Sequence, residues 1–122
     1  MLRNDFYTLS DLQVTDQSVE ANVNFNPEHS IFKGHFPEMP IVPGVCMVEI
    51  VKEAAEICTK TSLRLSSATS IKFLSVIDPR KTNKVVLKLQ LRDTHPPYEA
   101  SATLSKDDNV YFKFSGTFVM QP

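Results

Sequence analysis

The sequence predicts an α+β fold in which an antiparallel sheet packs against one long helix. Three observations carry that expectation. Residues from about Gly44 to Lys60 have helical periodicity, with Met47, Ile50, Val51, Ala54, Ala55, Ile57 and Cys58 on a broad apolar arc. Several other runs alternate apolar and polar residues, as half-buried strands do. Most of these runs are joined by short polar turns, the pattern of a sheet set against a single helix.

Taken in order, "SVEANVNF" at 18–25 alternates Val19, Ala21, Val23 and Phe25 with polar residues and reads as a strand. A proline-rich loop follows and leads into the helix. Glu49, Glu53, Glu56 and Lys60 form a narrow stripe opposite its apolar arc, the pattern of a solvated face. After "TSLRLSS" come the strand-like runs "ATSIKFLSVI", "KVVLKLQLRD", "YEASATLS" and "NVYFKFSGTFVM". The polar "KDD" before Asn109 marks a hairpin loop. One helix and five or six strands result, without internal repeats or a low-complexity linker.

The 122 residues suit one domain, 1–122, long enough to bury a core. A composition of 42% hydrophobic and 22% charged residues with a net charge of -1 is that of a globular protein, and it argues against a nucleic-acid partner, which calls for a basic surface. The N-terminal "MLRNDFYTLSDLQV" lacks the apolar core of a signal peptide, and no apolar run approaches the roughly 18 residues of a membrane span. A cytoplasmic location is expected. Cys46 and Cys58 have neither metal-site nor disulfide spacing and read as small core residues.

Chemistry concentrates in "GHFPEMPIVPGVCMVE", residues 34–49. Pro37, Pro40 and Pro43 remove three backbone donors, so the segment is a stiff loop, and Pro43 suits the first turn of the helix that follows. Gly44 leaves room for close approach to the open amides at the helix N-terminus, where a carbonyl oxygen can gather charge. His35 exchanges a proton near neutral pH, and Glu49 lies just inside the same helix. Spacing alone leaves blander readings open. The prolines have the spacing of a polyproline ligand, although Met39, Ile41 and Val42 are poor exposed residues for one. His35 is equally a hydrogen-bonded core histidine, and Glu49 equally a member of the charged stripe.

The same stretch closely resembles the signature of the bacterial 3-hydroxyacyl-acyl-carrier-protein dehydratases, the FabA and FabZ family. There a His-Phe-Pro segment leads through spaced prolines and a Pro-Gly-Val turn into the central helix. Fourteen positions separate His35 from Glu49 and nine separate it from Gly44, in agreement with that signature. The resemblance implies a hotdog fold, an antiparallel sheet wrapped around one long central helix. It also implies His35 and Glu49 as catalytic residues, with Phe36, Pro43, Gly44 and Val45 binding the substrate and its oxyanion.

The implied reaction is dehydration of a (3R)-3-hydroxyacyl thioester to the trans-2-enoyl thioester, without a metal or redox cofactor. The substrate would ride on the phosphopantetheine of an acyl carrier protein or on coenzyme A. In that family the site forms at a dimer interface, so a homodimer or higher homo-oligomer is expected. Two positions depart from the family pattern. Glu53 stands where a glutamine is common, and Leu74 and Ser75 replace a basic pair that would face an acidic carrier. Lys33, Arg80, Lys81 and Lys84 are candidate substitutes for that pair, and its loss suggests a specialised branch such as polyene synthesis. The alternatives are a hotdog acyl thioesterase and a non-catalytic acyl-binding partner of an active dehydratase, though the latter is expected to lack His35 or Glu49.

Overall fold

The computed structural model describes residues 1–34 and 40–122. The alternating run at Ser18–Phe25 is strand β2, and it follows a strand the periodicity did not single out, β1 (Tyr7–Val14). A one-turn helix α1 (Ser30–Gly34) leads toward the proline-rich segment, and the long helix α2 spans Gly44–Thr59. Four more strands follow: β3 (Leu63–Phe73), β4 (Lys84–Leu91), β5 (Tyr98–Lys106) and β6 (Asn109–Met120). All six strands join one antiparallel sheet in the order β1-β2-β4-β5-β6-β3.

The alternation read from sequence sets the inner face of this sheet. Val19, Ala21, Val23 and Phe25 of β2, and Val85, Leu87, Leu89 and Leu91 of β4, are buried. So are Tyr98, Ala100, Ala102 and Leu104 of β5, and Phe112, Phe114 and Phe118 of β6. Their period of two sends them all to the side on which α2 lies. From the helix, Cys46, Met47, Ile50, Val51, Ala54, Ala55 and Cys58 fill the same core. The two cysteines are free, small core residues, as expected.

Three sequence readings need correction. The strand placed at "ATSIKFLSVI" begins earlier, at Leu63, and ends at Phe73, so it takes in most of "TSLRLSS". Register shifts at Leu65/Ser67 and Ala68/Ser70 break its alternation, and only Leu63 in it is buried. Glu53, assigned to the solvated stripe, is instead 2% exposed. Pro43 also stands one position earlier than expected, capping α2 from an extended conformation (φ -63°, ψ 144°). The hairpin at "KDD" is as expected, a two-residue turn at Asp107 and Asp108 with Asp107 left-handed at φ 53°.

Candidate active site at the head of the central helix

The head of α2 is fixed by neighbouring backbone. The Val42 amide donates to the Ile77 carbonyl at 2.8 Å, which ties the entry to α2 to the loop after β3. Ile77 is buried and anchors that loop. With no side chain capping α2, the Cys46 and Met47 amides both donate to the Pro43 carbonyl, at 3.0 and 3.2 Å. The amides of Gly44 and Val45 have no acceptor among the described residues, and they carry the positive end of the helix dipole. Val45 points its side chain outward and is 77% exposed.

Glu49 lies little more than one turn along α2. Its side chain is half-buried and pairs with the Lys52 ammonium at 3.2 Å. Lys52 also lies 4.0 Å from Glu56, so a single cation bridges two carboxylates of the stripe. Burial pulls the Lys52 amine down, but the hydrogen bond and charge of Glu49, joined by Glu56 and Glu53, outweigh it and leave the amine above its ordinary range. The neighbouring Cys46 thiol is pushed up by burial and then by the charge of Glu49, so it is a poor thiolate.

Glu53 is the largest departure from the sequence reading. Its Oε1 accepts from the Arg3 amide at 2.9 Å and the Tyr7 hydroxyl at 3.0 Å, and its Oε2 accepts from the Leu2 amide at 2.9 Å. Three donors around one carboxylate account for a buried acid without a salt-bridge partner among the described residues. Tyr7 is buried, and its ionisation is pushed far up, first by burial and then by the charge and hydrogen bond of Glu53. The network straps the N-terminus across α2 next to Glu49. Its sequence signal was present: Glu53 follows Cys46 by seven residues, two helical turns, and so borders the apolar arc.

His35 and Phe36 lie outside the described residues. The segments on both sides of them are held. Before them, the His29 ring caps α1 by accepting from the Ile31 amide at 3.1 Å, and its other nitrogen meets Asp5 at 3.0 Å. Phe32 of α1 stacks on Phe6, with centroids 5.1 Å apart. After them, Val42 is bound to Ile77 as described. The chain is therefore fastened to the body of the fold at Phe32 and again at Val42, one residue before Pro43.

The chain matches the model of the ApeI-like family, described as ApeI dehydratase, over residues 11–114. The chain belongs to the ApeI dehydratase family. Its fold is the hotdog, as the motif implied. The 3-hydroxyacyl-(acyl-carrier-protein) dehydratase FabZ of Xylella fastidiosa is 31% identical over 78 residues, 63% of this chain and 49% of that protein. The FabZ of Rickettsia bellii is 31% identical over 102 residues, 84% of this chain and 66% of that protein. The chain thus spans about half the length of the first of these curated relatives. A solved structure titled the dehydratase heterocomplex ApeI:P, from Xenorhabdus doucetiae, superposes with a TM-score of 0.69 at 21% identity, over 86% of this chain and 89% of that one. No helix among the described residues of this ApeI-family chain is long and apolar enough to cross a membrane.

Proposed function

We propose that this chain dehydrates (3R)-3-hydroxyacyl thioesters to trans-2-enoyl thioesters and water, in fatty-acid or polyene-type biosynthesis in the cytoplasm, as one hotdog domain over residues 1–122. The observation that carries the reading is the run from His35 to Glu49, which passes through the first turn of α2 and ends in its second, in a chain of a dehydratase family. In the reaction, neutral His35 takes a proton from C2. The Gly44 amide, with that of Val45 beside it, receives the thioester oxygen as it gains negative charge. Glu49 gives its proton to the hydroxyl on C3, the C–O bond breaks, water leaves and the C2–C3 double bond forms. The proton gained by His35 and the one lost by Glu49 balance through solvent before the next turnover. By the resemblance Phe36 and Pro43 bind the substrate, and no metal or redox cofactor enters.

A general acid must arrive protonated, and Glu49 is here paired with the Lys52 ammonium at 3.2 Å. Lys52 has a second carboxylate, Glu56, within reach. Substrate and a facing apolar surface desolvate Glu49, Lys52 turns to Glu56, and Glu49 takes up its proton. A second copy of the chain supplies that surface. Among the described residues the outer edge of β3 pairs with no strand, and Val45 at the head of α2 and Leu74 and Val76 after β3 leave apolar side chains exposed. The result is a homodimer, free to assemble further. The acyl group arrives on an acidic carrier protein or coenzyme A. Lys33, Lys81 and Lys84 are exposed for the carrier, while Arg80 is engaged by Asp78 at 3.4 Å.

Product analysis with a 3-hydroxyacyl pantetheine thioester tests the reading. Formation of an enoyl thioester with the thioester bond intact is the expected result. Release of a free thiol and a 3-hydroxy acid would make the chain a thioesterase. Neither product would reduce it to an acyl-binding partner.

A further inference from the structure

Phe73, the last residue of β3, stands over the first turn of α2. A Cβ built on Gly44 would lie 2.7 Å from its Cζ, 2.8 Å from its Cε1 and 3.4 Å from its Cε2. Covalent geometry then puts the ring within about 5 Å of the Gly44 nitrogen. One side of the ring is backed by Phe112, with centroids 5.4 Å apart and planes tilted by 34°. Phe112 is fully buried, so the backing is fixed. The other side is open, and Phe73 is 55% exposed. An aromatic ring thus borders the place where the open amides of Gly44 and Val45 begin the helix.

We infer that Phe73 is a specificity-determining residue, a wall that limits bulk at C2 of the bound acyl thioester. The inference rests on the dehydration reading for the position of the thioester oxygen. An oxygen held by the Gly44 amide sits about 3 Å from the nitrogen, which places the carbonyl carbon and C2 roughly 4–5 Å away. The ring lies at a comparable distance from the same nitrogen, on the side where the Gly44 Cβ would stand. A C2 bearing only hydrogens lies flat against an aromatic surface, but an added methyl meets ring carbons that Phe112 keeps from retreating. The glycine and the ring are complementary: the absence of a side chain at 44 lets the ring approach, and the ring narrows the space that the glycine opens.

The test compares wild type with Phe73→Ala, using an unbranched 3-hydroxyacyl pantetheine thioester and its 2-methyl counterpart. Wild type should prefer the unbranched substrate by tenfold or more in kcat/KM, and the variant should bring that ratio below threefold, chiefly through KM. An unchanged ratio would overturn the inference. The contact itself is read by melting: Gly44→Ala should lower Tm in the wild-type background and cost little when Phe73 is alanine. An equal cost in both backgrounds would also overturn it. If no form turns over either thioester, the dehydration reading fails separately. The wall is then judged by calorimetric binding of unbranched and 2-methyl saturated acyl pantetheine thioesters. Discrimination lost in Phe73→Ala supports it, and discrimination retained refutes it.

Discussion

Removing the buried carboxylate of Glu53 should cost far more than a charged helical residue normally does. In Glu53→Ala, the Leu2 and Arg3 amides lose their acceptor but belong to part-buried residues that water can reach. Each such loss costs about 1 kcal/mol. The Tyr7 hydroxyl has no such escape, because Tyr7 is 1% exposed, and a stranded buried donor costs about 1–3 kcal/mol. The total is about 3–5 kcal/mol, a fall in Tm on the order of 10–20 °C for a domain of this size. Urea titration of Glu53→Ala, Tyr7→Phe and the double variant measures it. Tyr7→Phe alone should cost about 1–2 kcal/mol, and the double variant should cost less than the sum, since both single changes remove one shared bond. Because the strap lies beside Glu49, its loss should also lower turnover. A Glu53→Ala protein within about 0.5 kcal/mol of wild type would have the stability of an ordinary surface variant and would refute the strap.

The remaining predictions concern pH, packing and assembly. Tyr7 and Lys52 both have raised pKa values, so their contributions to stability are present below the ordinary values of 10.0 and 10.5 and are lost as pH rises past them; melting followed from pH 8 to 11 should show a late fall that Tyr7→Phe makes shallower. Gly116→Ala should cost about 1–3 kcal/mol, because the added carbon would lie 2.8 Å from the Ser67 carbonyl and 2.7 Å from Phe114, where backbone cannot step aside; a melt unchanged from wild type would mean that β3 and β6 can part there. Val76→Asp, at a side chain 67% exposed in the loop after β3, should weaken self-association at least tenfold in sedimentation analysis while leaving the fold of each chain intact.

How far the sequence could be read depended on whether local pattern or distant contacts set each residue's place. β2, α2, β4, β5 and β6 were legible because each buries one face in an unbroken period, as Val85, Leu87, Leu89 and Leu91 do. β3 was not placed correctly because it is an edge strand whose two register shifts remove the alternation, and its exposed Phe73 looked like any strand residue until Gly44 was seen beneath it. β1 went unread because seven of its eight residues, all but Tyr7, leave their side chains partly or wholly exposed. Glu53 differs again: helical spacing puts it at the border of the apolar arc, but its partners Leu2, Arg3 and Tyr7, some fifty residues away, are not in that spacing. Within the candidate site, the loop entering a helix at Gly44 followed from proline and glycine chemistry, whereas the Lys52 partner of Glu49 needed the geometry.

The central claim is that Glu49 delivers the proton that removes the hydroxyl. Enoyl formation from a 3-hydroxyacyl thioester, followed for wild type and for Glu49→Gln shown by its melt and oligomeric state to be folded, tests it most directly. Glutamine keeps the reach and hydrogen bonding of the side chain but has no proton to give. The expected outcome is a loss of at least a hundredfold in kcat, matched by His35→Ala and little deepened in the double variant, because residues that act as one unit are not additive. A Glu49→Gln protein that dehydrates at a near-normal rate would contradict the account and leave Glu49 as the surface partner of Lys52.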